Sequence, residues 1–105
     1  MAGKDRKTQI EAMLTEDPND PFLNYGLAME YVSSGDDDGA VRRFQHLFEV
    51  APDYVPGYLQ AGQAFNRLNR LNEARSILQR GLDVARKKGD THAFEEMSVL
   101  LSTLA

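Results

Sequence analysis

An all-α solenoid of antiparallel helix hairpins, with about six helices, is the fold this sequence predicts. Three observations carry that expectation. The chain of 105 residues repeats itself at a step of 34. Apolar residues recur at helical spacing along it, with no sustained apolar–polar alternation of the kind a strand shows. Proline and glycine clusters interrupt the pattern at the intervals a hairpin repeat needs.

The step of 34 relates Pro18 to Pro52, Ala40 to Ala74, Gln45 to Gln79, Val50 to Val84 and Ala51 to Ala85. It also sets Tyr31 opposite Phe65, Phe44 opposite Leu78, Phe48 opposite Leu82 and Glu49 opposite Asp83. Within one period, Pro21–Ser33 carries apolar residues at helical spacing until the run Gly35-Asp36-Asp37-Asp38-Gly39 breaks it. Ala40–Val50 places Ala40, Phe44, Leu47 and Phe48 on one stripe, and Pro52 stops that helix. Tyr54–Leu68 repeats the first helix, and Leu71–Lys88 repeats the second in a longer form.

These residues resemble the tetratricopeptide repeat family, whose helix–turn–helix unit is 34 residues long with the pattern W-x2-L-G-x2-Y, A-x3-F, P. The first unit reads Asn24-x2-Leu27-Ala28-x2-Tyr31, then Ala40-x3-Phe44, then Pro52. The second reads Tyr58-x2-Ala61-Gly62-x2-Phe65, then Ala74-x3-Leu78, with Arg86 where a closing proline belongs. Small residues at Ala28, Gly62, Ala40 and Ala74 let the two helices of a hairpin approach closely. Projected back by one period, Ile10 falls opposite Phe44 and Leu14 opposite Phe48. Residues 4–16 therefore look like the second helix of a repeat without its first. Phe94-x2-Met97-Ser98-x2-Leu101 resembles the opening of a further unit, offset by two residues. The resemblance implies one domain over residues 1–105. It divides into an N-terminal half repeat at 4–20, repeats at 21–54 and 55–88, and a capping helix at 89–105, with a right-handed superhelical twist.

In that last segment Phe94, Met97, Leu100, Leu101 and Leu104 lie within an arc of roughly 120°. Glu95, Glu96, Ser98, Ser102 and Thr103 lie outside it, which suits the exposed end of a solenoid.

Composition excludes several functions. There is no cysteine, so a disulfide framework, a thiolate metal site and a cysteine nucleophile are all ruled out. Twelve Lys+Arg against sixteen Asp+Glu give a net charge of −4, which argues against binding nucleic acid through a basic surface. MAGKDRKTQI lacks the apolar stretch of a signal peptide, and no apolar run approaches a membrane span. The expectation is a cytoplasmic protein with no membrane partner.

Site chemistry is sparse. The acidic run at Asp36–Asp38 fails the calcium-loop pattern, since Ser34 and Gln45 fall at the first and last ligand positions. A turn whose carboxylates face the start of the next helix explains it. His46 and His92 stand apart without a ligand motif, and His46 is expected on an exposed helix side. No nucleophile elbow and no phosphate loop occur, and Glu95 and Glu96 point different ways on a helix. No enzyme activity, cofactor or metal is therefore expected. Arg86-Lys87-Lys88 fits the last turn of a helix ended by Gly89.

The feature that bears on function is a second apolar stripe. Phe22, Tyr25, Met29 and Val32 lie about 120° around the helix from the packing face of Asn24, Leu27, Ala28 and Tyr31, and one core-facing stripe does not require a second. In the resembled family this stripe lines a concave groove that takes up peptides or partner helices. The matching positions of the second unit are Pro56, Leu59, Gln63, Asn66 and Arg67, and those of the closing helix are His92, Glu95, Val99 and Ser102. The resemblance thus implies a protein–protein interaction module. Phe22, Tyr25, Met29, Val32 and Leu59 would give contact area, while Gln63, Asn66 and Arg67 would give hydrogen bonds. Some family members grip a C-terminal carboxylate with Lys, Asn and Arg here, and Phe22, Tyr25 and Met29 do not support that clamp. The alternatives are a homo-oligomer using the stripe as its dimer seam, and a stripe covered internally.

Overall fold

A computed structural model of the protein describes residues 5–104. Among them are six α-helices and no strand: α1 (Arg6–Glu16), α2 (Pro21–Ser33), α3 (Asp37–Val50), α4 (Val55–Arg67), α5 (Leu71–Lys88) and α6 (Thr91–Thr103). Lys4 and Ala105, the outermost residues of the expected half repeat and capping helix, lie outside the described residues. The chain divides after Pro52 into two compact units.

In the first unit α2 packs against both α1 and α3. Aspartates start all three helices. The carboxylates of Asp5, Asp20 and Asp36 accept hydrogen bonds from the backbone N–H groups of Thr8, Leu23 and Gly39 at 2.8, 2.9 and 2.9 Å. Each satisfies a donor the helix leaves open. Asp37 and Asp38 then occupy the first turn of α3, where negative charge suits the helix dipole. The acidic run is thus a cap and a first turn, and α3 begins three residues before the expected Ala40. Ile10 and Leu14 of α1 form a buried cluster with Leu27, against which Leu23 and Tyr31 pack. Ala28 of α2 and Ala40, Val41, Phe44, Leu47 and Phe48 of α3 are buried as well.

In the second unit α5 packs against α4 and α6, and α4 also meets α6. Pro56 sits in the first turn of α4, where a missing N–H costs nothing. Tyr58, Ala61, Ala64, Phe65, Ala74, Leu78, Ala85 and Met97 are buried. A Cβ at Gly62 would lie 2.5 Å from Leu78 Cδ2, so α5 packs directly onto α4 at this small residue. Burial raises the Tyr58 phenol above its usual pKa, against the opposing pull of the Arg80 guanidinium, which lies over the Tyr58 ring at 5.6 Å. Of α6 only Met97 is fully buried, while Phe94, Leu100, Leu101 and Leu104 are half-buried. Arg86, Lys87 and Lys88 fill the last turn of α5, which Gly89 ends with φ 70°. Lys88 Nζ reaches Asp53 Oδ2 at 3.4 Å.

The turn inside each hairpin repeats bond for bond at the 34-residue step. Asp36 N–H donates to Tyr31 O and Arg70 N–H to Phe65 O, both at 2.9 Å; Ser34 N–H donates to Glu30 O and Leu68 N–H to Ala64 O, both at 3.1 Å. The left-handed residue is Gly35 (φ 80°) in one turn and Asn69 (φ 60°) in the other. Asparagine tolerates this conformation and β-branched residues do not. Asn69→Val will cost about 1–2 kcal/mol in chemical denaturation, whereas Asn69→Gly will be near neutral. Equal losses in the two variants would mean that the Asn69 side chain, and not its φ, matters.

Candidate protein-binding surfaces

On the first unit, the expected stripe of α2 divides. Phe22 is 67% exposed. It borders a shallow cleft of about 170 Å³ between α1 and α2, with Arg6, Gln9, Ile10, Met13, Leu23 and Gly26. Tyr25, Met29 and Val32 are half-buried. The Tyr25 ring leans on Phe44 of α3, centroids 6.3 Å apart and planes at 56°, so part of this residue already serves the core. On the packing face of α2, Asn24, Leu27 and Ala28 are buried and Tyr31 is half-buried.

The buried Asn24 stands where the family pattern has tryptophan, and its place on the packing face did not announce the hydrogen bonds it makes. It is fully buried, and its Nδ2 donates to Pro18 O at 3.0 Å and to Asp20 O at 2.8 Å. Its Oδ1 accepts from Arg43 Nη2 of α3 at 3.0 Å. One side chain therefore ties the α1–α2 connection to α3. Arg43 Nε is buried without a partner.

On the second unit, α4 and α6 form an open cleft of about 510 Å³ lined by Leu59, Gln63, His92, Glu95, Glu96, Val99, Leu100 and Thr103. Leu59 and Gln63 are thus brought together with His92, Glu95 and Val99. Asn66 and Arg67 are exposed on α4 but do not line it, and neither do Pro56 and Ser102. Val99 is 64% exposed. Glu96, Leu100 and Thr103 were not anticipated here. The signal for two of them lay in the spacing of His92, Glu96, Val99 and Thr103, which is that of one helical stripe. His92 Nε2 lies 3.3 Å from Glu96 Oε1.

Other titratable groups are tied to local structure. His46 is half-exposed, with Nδ1 3.5 Å from Glu49 Oε1. Arg70 holds the Glu73 carboxyl below its usual pKa through hydrogen bonds of 2.6 and 2.7 Å at the start of α5. Among the described residues, no three His, Cys, Asp or Glu side chains converge to hold a metal, and no helix is long and apolar enough to cross a membrane.

Helix hairpins repeating at 34 residues, with small residues at the crossings, define a helical-repeat protein. No family model matches the chain. A TPR repeat-containing protein of Pseudomonas aeruginosa is 33% identical over 95 residues, which cover 90% of this chain and 90% of that protein. The crystal structure of a tetratricopeptide repeat domain protein from Salinibacter ruber is 33% identical, covers 78% of this chain and 92% of its own, and superposes with a TM-score of 0.73. The type III secretion translocator chaperone SycD of Yersinia enterocolitica reaches a TM-score of 0.85 over 91% of this chain and 67% of its own; at 18% identity that likeness is one of fold. The chain belongs to the tetratricopeptide repeat family, whose members generally serve as protein–protein interaction modules and typically as scaffolds without enzyme activity.

Proposed function

We propose that this protein binds a peptide or helix of a partner protein along the apolar faces of its first-in-hairpin helices. Phe22, Tyr25, Met29 and Val32 supply contact area on the first unit and Leu59 on the second, with Gln63, Asn66 and Arg67 giving hydrogen bonds and register. The single observation that supports this most is the cleft of α4 and α6, where Leu59 and a Val99 left 64% exposed face solvent together. A helix end that only closed a solenoid would place a polar residue at Val99. The chaperone likeness is one of fold, and protein partners are the common denominator of such folds.

A photo-crosslinking side chain placed at Val99, and separately at Phe22, tests the reading in the source cell. One discrete heavier adduct is expected from each, and that at Val99 is lost when Leu59→Glu is added beside it on the second unit. Adducts only at twice the chain's 11.8 kDa would favour the homo-oligomeric alternative, with the stripe as a dimer seam. No adduct from either position would sink both. Val99→Asp should leave helicity and Tm unchanged, because the side chain is mostly in water.

A further inference from the structure

The charge on the walls of the α4–α6 cleft narrows what can enter it. Its apolar floor is Leu59, Val99 and Leu100; its charged lining is Glu95 and Glu96, and no Lys or Arg lines it. Glu95 is exposed and holds no ion pair among the described residues, and Glu96 is met only by His92. An acidic segment would bring like charges against the two carboxylates, whereas a cation there would find them beside apolar surface. The long stems of Lys and Arg also cover apolar surface while their charged ends reach the rim. Resting on the binding function proposed above, we infer that this cleft takes a partner segment in which Lys or Arg alternates with bulky apolar residues, and rejects acidic ones.

The probes are three short synthetic peptides of equal length: an amphipathic leucine–lysine helix, its leucine–glutamate counterpart, and a serine–lysine chain. Each is titrated into the full-length protein and followed by amide NMR. The leucine–lysine peptide should move the resonances of Leu59, Gln63, Glu95 and Val99. Its affinity should fall about tenfold in Glu95→Gln/Glu96→Gln, the worth of two exposed ion pairs, and should weaken with added salt. The leucine–glutamate peptide should bind at least about tenfold more weakly than the leucine–lysine peptide.

Equal binding of the leucine–lysine and leucine–glutamate peptides in the cleft overturns the charge selection and leaves the binding function standing. Equal binding of serine–lysine and leucine–lysine peptides overturns the apolar floor. A leucine–lysine peptide that leaves the cleft resonances unmoved removes the inference, while the crosslinks at Val99 and Phe22 still decide whether a partner binds. Cleft resonances that shift on concentrating the chain alone, with a doubled mass, would assign the cleft to a second copy.

Discussion

Gly81→Ala will lower the stability of the protein by about 2–3 kcal/mol, a fall in Tm of roughly 10–20 °C. A Cβ at this mid-helix position of α5 would lie 2.5 Å from Met97 Sδ of α6 and 2.5 Å from Tyr58 Cβ of α4. The methionine sulfur can swing aside. Tyr58 Cβ cannot, because it is anchored to the α4 backbone and its side chain is fully buried, so α4 must move. That strain exceeds the roughly 0.5–1 kcal/mol that alanine returns over glycine inside a helix. Gly26→Ala supplies the comparison. There a Cβ meets only Ile10 Cδ1, at 3.3 Å, the free end of a flexible side chain. Its stability should be unchanged or rise by up to about 1 kcal/mol. Thermal scans of the two variants by circular dichroism are decisive, and similar Tm values for both would show that Gly81 is not where α4, α5 and α6 meet.

The sequence's helical period was enough to predict six helices because each hairpin must bury the same stripe against the same neighbour, so core residues return every 34 positions. The period also extends to the turn, although no residue type announced it: Gly35 and Asn69 share a left-handed backbone, and only one of them is glycine. Helix starts were less legible. The run Asp36–Asp38 looks like an interruption because aspartate favours turns, yet it favours the cap and the first turn of a helix equally. The cleft on the second unit was half legible. Leu59, Gln63, His92, Glu95 and Val99 were implied by the family resemblance, but Asn66 and Arg67, implied in the same way, lie beyond its lining. Glu96 and Thr103 sit one position past the expected stripe, on the same side of the helix as Val99. Gly81 was not legible at all. One period earlier stands Leu47, which is large and fully buried, and no pattern in the sequence marks a glycine there as indispensable.

Asn24→Ala will cost about 2–4 kcal/mol, although alanine is a better helix former than asparagine. The loss combines the two hydrogen bonds to Pro18 O and Asp20 O with that from Arg43; Asp20 O keeps the backbone N–H of residue 24, whereas Pro18 O and the Arg43 guanidinium each lose a bond in a partly buried setting. Arg43→Met should cost less than half as much, because it also removes an Nε that is buried without a partner. The double variant should be more stable than the summed losses predict, since methionine no longer needs the oxygen that alanine removes. Additive losses in chemical denaturation would mean that the Arg43 bond contributes nothing and that Asn24 acts only through the α1–α2 connection. At the 34-residue step Asn24 corresponds to Tyr58, and Leu47 to Gly81, and all four are buried. One unit pairs a small polar residue on its first helix with leucine on its second; the other pairs tyrosine with glycine. In the second unit the glycine leaves room for the tyrosine it meets. Asn24→Leu is expected to destabilise by more than its burial would return, because leucine makes none of the three hydrogen bonds that Asn24 makes to Pro18, Asp20 and Arg43.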